Sequence, residues 1–141
     1  MTMLVATTPT SAAPRLAVLI ALPWPGETAM SRDVAAAQTA LQRRGFTRSE
    51  VIVLDDGRSR DAVLGFLDGV RQRIRGWRAG DLFILVSGHG MYKGTTVADA
   101  RPGILLSGRY PPPPELAIYW DEIFLALDVP GGVRAILLPD T

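Results

Sequence analysis

The sequence contains no cysteine and a single histidine. The missing cysteine excludes disulfide bonds, thiolate zinc sites and a cysteine nucleophile within these 141 residues, and it leaves the redox compartment undecided. The histidine, His89, has no second histidine with which to complete a metal site, so only carboxylates remain as further ligands. We therefore expect neither a metal ion nor another cofactor.

The sequence also lacks a long apolar run and an excess of charge. Its longest apolar run, residues 16–22, has the length of a strand and falls short of the roughly 18 to 20 residues that a membrane span requires. The 15 basic and 14 acidic residues give a net charge of +1, which is too balanced for non-specific binding to nucleic acid. We expect a cytoplasmic protein with neither a membrane nor a nucleic-acid partner.

Length and composition indicate one folded domain. A chain of 141 residues with 48% hydrophobic and 21% charged residues has the size of one domain and enough apolar side chains for a core. Residues 1–14 are rich in Thr, Ser and Pro, as is typical of a flexible terminus. We assign residues 1–14 to a flexible lead and residues 15–141 to the domain.

Four apolar runs have the pattern of strands. Residues 16–22, 51–54, 82–86 and 135–138 are continuous apolar segments, as expected for strands buried on both faces of a parallel sheet. Residues 91–110 resemble a loop-like insertion, and the four prolines that follow favour an extended polyproline segment.

Helical patterns lie between these strands. Ser31 is the predicted cap of a helix that ends before Gly45, a second helix follows residue 57, and a short third helix spans residues 120–127. Strands that alternate with helices predict an α/β fold with a mostly parallel sheet and helices on both faces.

Three features fall at predicted carboxyl ends of strands, where ligands gather in open α/β sheets. They are the loop after the first strand, with Trp24 as a site-wall residue, the turn around His89, and Asp140. Histidine is the natural acid or base near neutral pH, and flanking glycines allow a substrate to approach closely. A turn residue or a metal ligand would also fit His89, and Asp140 could simply cap a neighbouring loop.

The order of these features resembles the caspase-like cysteine peptidases, particularly their metacaspase and paracaspase branch. The specific part is S-G-H-G at residues 87–90, which follows G-D and an apolar strand. The first strand and the R-D-V helix start at residues 32–34 resemble the opening of the family's catalytic domain. Residues 133–141, which finish with D-T, resemble the stretch before its D-x-C nucleophile motif. The resemblance covers roughly residues 15–141.

The resemblance implies a cysteine endopeptidase with a caspase-like α/β/α fold and a protein or peptide substrate. In the family a thiolate attacks the scissile carbonyl, and the histidine, here His89, activates the thiol or protonates the leaving amine. The Gly90 amide would help to form the oxyanion hole. Asp33 and Asp140 match acidic positions that line the primary specificity pocket in the metacaspase branch, which implies cleavage after Arg or Lys. No acid-rich loop is evident after His89, so calcium dependence stays open.

The nucleophile departs from the family pattern. Asp140 and Thr141 match the first two positions of D-x-C, and the cysteine that would follow is not among these residues. We expect a domain that is incomplete at its C-terminal edge, completed by the remainder of the chain or by a small-subunit partner. The alternatives are a catalytically inactive pseudo-peptidase that acts as a binding or scaffolding module, and an unrelated α/β binding domain.

Overall fold

The computed structural model describes residues 12–141, so residues 1–11 of the predicted lead lie outside the described residues. Within residues 12–141, six strands and three α-helices form the fold. The strands are β1 (Arg15–Leu22), β2 (Val51–Leu54), β3 (Gly80–Lys93), β4 (Arg101–Leu105), β5 (Ala117–Tyr119) and β6 (Val133–Asp140), and the helices are α1 (Ala29–Arg43), α2 (Arg60–Ile74) and α3 (Trp120–Leu127). None of the helices within residues 12–141 has the length and apolarity needed to cross a lipid bilayer.

The six strands form one mixed sheet. β2, β1, the first half of β3, and β6 are parallel neighbours in that order, whereas the second half of β3 pairs antiparallel with β4, and β4 pairs antiparallel with β5. The predicted α/β class and the helices on both faces are confirmed, but the expectation of a mostly parallel sheet is wrong. A tight return to an antiparallel neighbour needs only a short connection, so β4 fits within the segment that was expected to be a loop.

Glycine and proline conceal the strand pattern of this segment, because both residues are uncommon in strands. β3 continues to Lys93, and β4 contains Pro102 and Gly103. A Cβ atom at Gly103 would lie 2.6 Å from the carbonyl oxygen of Ile118 on β5. The glycine therefore serves the close approach of two strands.

The two faces of the sheet carry separate apolar clusters. Alternate residues of β1, such as Leu16 and Ile20, pack with the buried residues of α2 and α3. The residues between them, such as Leu19, pack on the other face with Val34 of α1. Because β1 is buried on both faces, its continuous apolar run is explained, as predicted.

The helix starts differ in part from the sequence prediction. α1 begins at Ala29, and Ser31 is not its cap; instead the Ser31 hydroxyl donates to the carbonyl oxygen of Asp55 at 3.1 Å, which links α1 to the end of β2. Ser59 caps α2 by accepting from the backbone N–H of Ala62 at 3.1 Å.

β6 lies at an edge of the described sheet and is not the buried strand that the sequence predicted. Its only strand partner among the described residues is β3, and most of its residues are exposed, including Ile136 and Leu138 at 36% and 44%. The residues on α1 that pack on the sheet reach β1 and β3, and an apolar groove of about 440 Å³ separates Leu41 from Leu138. The apolar composition of β6 predicted a strand correctly, but it did not predict burial.

Adjacent glycines before β6 provide a matched test of the packing. A Cβ atom at Gly132 would overlap the carbonyl oxygen of Arg78, whereas a Cβ atom at Gly131 meets no atom within 4 Å. We expect Gly132→Ala to lower the free energy of unfolding by about 1–3 kcal/mol, because backbone would have to shift. Gly131→Ala is the control, and urea denaturation of both variants is the measurement; equal stabilities would contradict the close approach.

An ion pair fixes the start of β1. The Arg15 Nε atom lies 2.8 Å from Glu50 Oε2, and the same guanidinium donates to the Gly45 carbonyl at 2.7 Å and lies 4.0 Å from the centre of the Phe46 ring. The hydrogen bond from Arg15, followed by that from the Thr47 amide, lowers the pKa of Glu50 to about 2.

This pair makes stability depend on acid pH. Because the pKa of Glu50 is lower in the folded state, its stabilising contribution is present above the ordinary value of 4.5 and is lost as the pH falls through about 2. We expect Arg15→Gln to raise the pKa of Glu50 toward 4.5, which a carbon NMR titration of the carboxyl group would measure. Arg48→Gln, which changes an exposed arginine nearby, is the control, and an unchanged Glu50 titration in Arg15→Gln would rule out the pair as the cause.

Candidate functional site

His89 lies where β3 changes partners. Gly88 is the last residue of β3 that pairs with β1, and His89 is the first that pairs with β4, opposite Leu105. The residues around His89 are thus extended strand, and the predicted turn is wrong. The glycines provide space instead: a Cβ atom at Gly88 would lie 3.1 Å from Leu22 Cβ, and one at Gly90 would lie 3.2 Å from Thr141 Cβ.

A tight turn after β1 faces this point. The Glu27 amide donates to the Trp24 carbonyl at 3.1 Å, and Gly26 between them has a φ of 86°. Proline at the second position and glycine with positive φ at the third are typical of a type II turn, so the W-P-G-E sequence at residues 24–27 explains the conformation. The turn brings the Glu27 side chain back to the backbone of Trp24, the first residue of the turn.

The turn holds the imidazole through two side chains. The ring of Trp24 stacks on His89 with 3.8 Å between centroids and 28° between planes. Glu27 Oε2 and Oε1 lie 2.9 and 3.1 Å from His89 Nε2. The side chains of His89 and Glu27 retain 32% and 33% of their exposure, so the pair is accessible from solvent.

Trp24 is itself fixed in place. Its backbone N–H donates to Glu27 Oε2 at 2.8 Å, and its indole N–H donates to the carbonyl oxygen of Leu105 at 3.0 Å. A Cβ atom at Gly108 would lie 3.4 Å from the indole ring, so the ring is also confined from that side. Trp24 therefore packs against His89, and its role as a site-wall residue stays a prediction.

Glu27 is an ionised carboxylate in this arrangement. The hydrogen bond with His89, and after it the hydrogen bond from the Trp24 amide, lower the pKa of Glu27 below its ordinary value, against a smaller opposing effect of desolvation. A partly exposed imidazole beside a carboxylate, at the point where β3 changes its neighbour from β1 to β4, is suited to taking up and releasing protons.

Asp140 and Asp33, the two acidic residues predicted for the site, lie in different parts of the fold. Asp140 lies opposite Ser87 in the parallel pairing of β6 with β3, and the buried Ser87 hydroxyl donates to Asp140 Oδ2 at 3.2 Å. Asp33 lies exposed on α1, and neither a hydrogen bond nor an ion pair joins it to His89 or Asp140. The sheet thus brings His89, Gly90 and Asp140 together at one end, and Asp33 is not bonded to that group.

Comparison with protein-family models finds no match for this sequence, and comparison with curated proteins finds none either. Within residues 12–141 no three His, Asp or Glu side chains converge as a metal ion would require.

Glu27 is the site residue that sequence reasoning missed. Its role depends on the turn at residues 24–27, which returns the side chain to Trp24, and on the position of β3 beside β1. The proline-glycine pair before Glu27 was the available signal, because it predicts a type II turn at the carboxyl end of a strand.

Proposed function

We propose that residues 15–141 form the histidine-bearing part of a caspase-like cysteine endopeptidase domain that cleaves after Arg or Lys. The observation that carries the proposal is the register of β3 and β6, in which Ser87 pairs with Asp140. The pairing ends there, and Thr141 then lies against Gly90, where a Cβ atom would be 3.2 Å from Thr141 Cβ, so a residue that followed Thr141 would lie close to His89. That is the position of the cysteine in the D-x-C motif that the sequence resembles.

His89 and Gly90 would have separate roles in the hydrolysis of the peptide bond. His89 accepts the proton of the thiol and passes it to the leaving amine, so that the thiolate can attack the scissile carbonyl. The Gly90 amide donates to the developing oxyanion. The nucleophilic cysteine comes from outside these 141 residues, which contain none.

Asp140 is suited to a basic side chain of the substrate. Its carboxylate is exposed and accepts one hydrogen bond from a side chain, that of Ser87, so it has further acceptor positions for a guanidinium or an ammonium group. Asp33 is the second acidic residue proposed for this pocket, on the strength of the motif that it matches.

A peptidase assay tests the proposal. The protein isolated from its native source, with any cysteine-bearing polypeptide that accompanies it, is given fluorogenic peptides that end in Arg, Lys or Asp. We expect hydrolysis of the Arg and Lys peptides, blocked by a thiol-alkylating reagent. Asp140→Asn should weaken this hydrolysis more than Asp128→Asn, which changes an aspartate at the end of α3. A folded, cysteine-containing preparation that cleaves none of the three peptides would refute the proposal.

A catalytically inactive pseudo-peptidase is the second candidate, and the absence of cysteine from the sequence favours it. Such a module would bind a protein partner through its surface, and His89→Ala would leave this binding unchanged. The intact mass of the native protein, measured alongside the assay, distinguishes the candidates: a mass of 15.2 kDa with no cysteine-bearing partner supports the pseudo-peptidase.

A further inference from the structure

We infer that Glu27 is a positioning residue for His89: it holds the imidazole with its proton on Nε2, so that Nδ1 is the nitrogen that exchanges protons with a reacting group. The part of this inference that concerns catalysis rests on the proposed function. The part that concerns the state of the ring depends only on the geometry of the turn.

The contacts restrict the ring in three ways. The carboxylate of Glu27 engages Nε2 at 2.9 Å, and the indole of Trp24 covers one face of the imidazole. The Trp24 amide in turn fixes the carboxylate at 2.8 Å, which leaves the carboxylate little freedom to leave the ring. His89 Nδ1 has no hydrogen-bond partner among residues 12–141.

The chemistry of the pair then decides which nitrogen carries the proton. An ionised carboxylate only accepts hydrogen bonds, and the pKa of Glu27 lies below its ordinary value, so at neutral pH Nε2 must be the donor. A neutral imidazole carries one proton, which leaves the Nδ1 lone pair free.

This arrangement gives a balanced proton transfer. Nδ1 takes the proton of a thiol, and the resulting imidazolium keeps its Nε2–H on the Glu27 carboxylate. Nδ1 then gives the proton to the leaving amine, which restores the neutral ring. Glu27 never takes the proton itself; it holds the ring and faces the positive charge while that charge exists.

Nuclear magnetic resonance of the nitrogen-labelled chain tests the inference without any turnover. His89 is the only histidine, so every imidazole signal belongs to it. We expect an imidazole N–H resonance at neutral pH that correlates with Nε2, because a carboxylate acceptor slows its exchange with water. In Glu27→Ala this exchange should become at least about tenfold faster, as expected when a hydrogen bond to a charged group is lost.

Two further variants separate the hydrogen bond from other effects. Glu27→Gln keeps the side-chain shape and a carbonyl acceptor but loses the charge, so its exchange should be faster than that of the wild type and slower than that of Glu27→Ala. Glu115→Gln, which changes an exposed glutamate that is not hydrogen-bonded to His89 or the turn, should match the wild type. If Glu27→Ala fails to fold, the wild type and Glu27→Gln still provide the comparison.

The outcomes are distinct from those of the peptidase assay. An N–H resonance on Nδ1, no imidazole N–H resonance in the wild type, or equal exchange in the wild type and Glu27→Gln would overturn the inference. A protein that shows the expected ring state but cleaves no peptide would refute the proposed function alone.

Discussion

A cysteine appended directly after Thr141 is expected to react with iodoacetamide at slightly acidic pH roughly tenfold faster than the same cysteine in a His89→Ala variant. Asp140 pairs with Ser87 and Thr141 lies against Gly90, so a residue after Thr141 is expected close to His89. An imidazolium beside a thiol stabilises the thiolate, which is the form that reacts. The acceleration is smaller than the gain in thiolate, because a thiolate of lower pKa is also a weaker nucleophile.

The control places the cysteine where no histidine is near. Leu125→Cys puts a thiol on the exposed side of α3, where the native leucine is 81% exposed, and His89→Ala should leave the alkylation rate of that thiol unchanged. Equal rates for the appended cysteine with and without His89 would show that the two side chains do not meet, and the register argument for a Cys-His pair would fail.

Leu67→Ala is expected to lower the free energy of unfolding by about 2–5 kcal/mol. Leu67 lies on α2, is fully buried, and packs in the apolar cluster between β1, β3 and the two helices on that face. The cost combines the lost transfer of a buried side chain with the cavity that remains.

The matched variant is Leu125→Ala, which removes the same atoms from a helical leucine that is 81% exposed. We expect this change to stay within about 0.5 kcal/mol of the wild type. Urea denaturation followed by circular dichroism measures both. Comparable losses in the two variants would contradict the position of Leu67 in the core.

The parallel part of the sheet could be predicted from sequence, and the antiparallel part could not. β1 and β2 could be predicted because strands that are covered on both faces have unbroken apolar sequences. β4 contains Pro102 and Gly103, of which Gly103 serves a close strand contact, and the presence of both removes the pattern that identifies a strand.

In the candidate site, too, one part could be predicted from the sequence and another part could not. The position of Asp140 beside Ser87, two residues before His89, follows from a general rule, since the carboxyl ends of parallel neighbours lie at one edge of a sheet. The hydrogen bond between Glu27 and His89 depends on the orientation of the imidazole ring and on the conformation of the turn at residues 24–27. Those details depend on tertiary packing, which a single sequence does not record.

The change of partners along β3 has a consequence for how the molecule opens. Up to Gly88 the strand is hydrogen-bonded between two parallel neighbours, whereas from His89 onward its described partner is the short antiparallel ribbon of β4 and β5. Amide protons of the first half should therefore exchange only with global unfolding, and those of residues 90–93 through smaller local openings. Ile104 of β4 and Ile118 of β5 lie in the same buried cluster as Leu82 of β3, so this opening is expected at the exposed end of β3 and not as detachment of the whole ribbon.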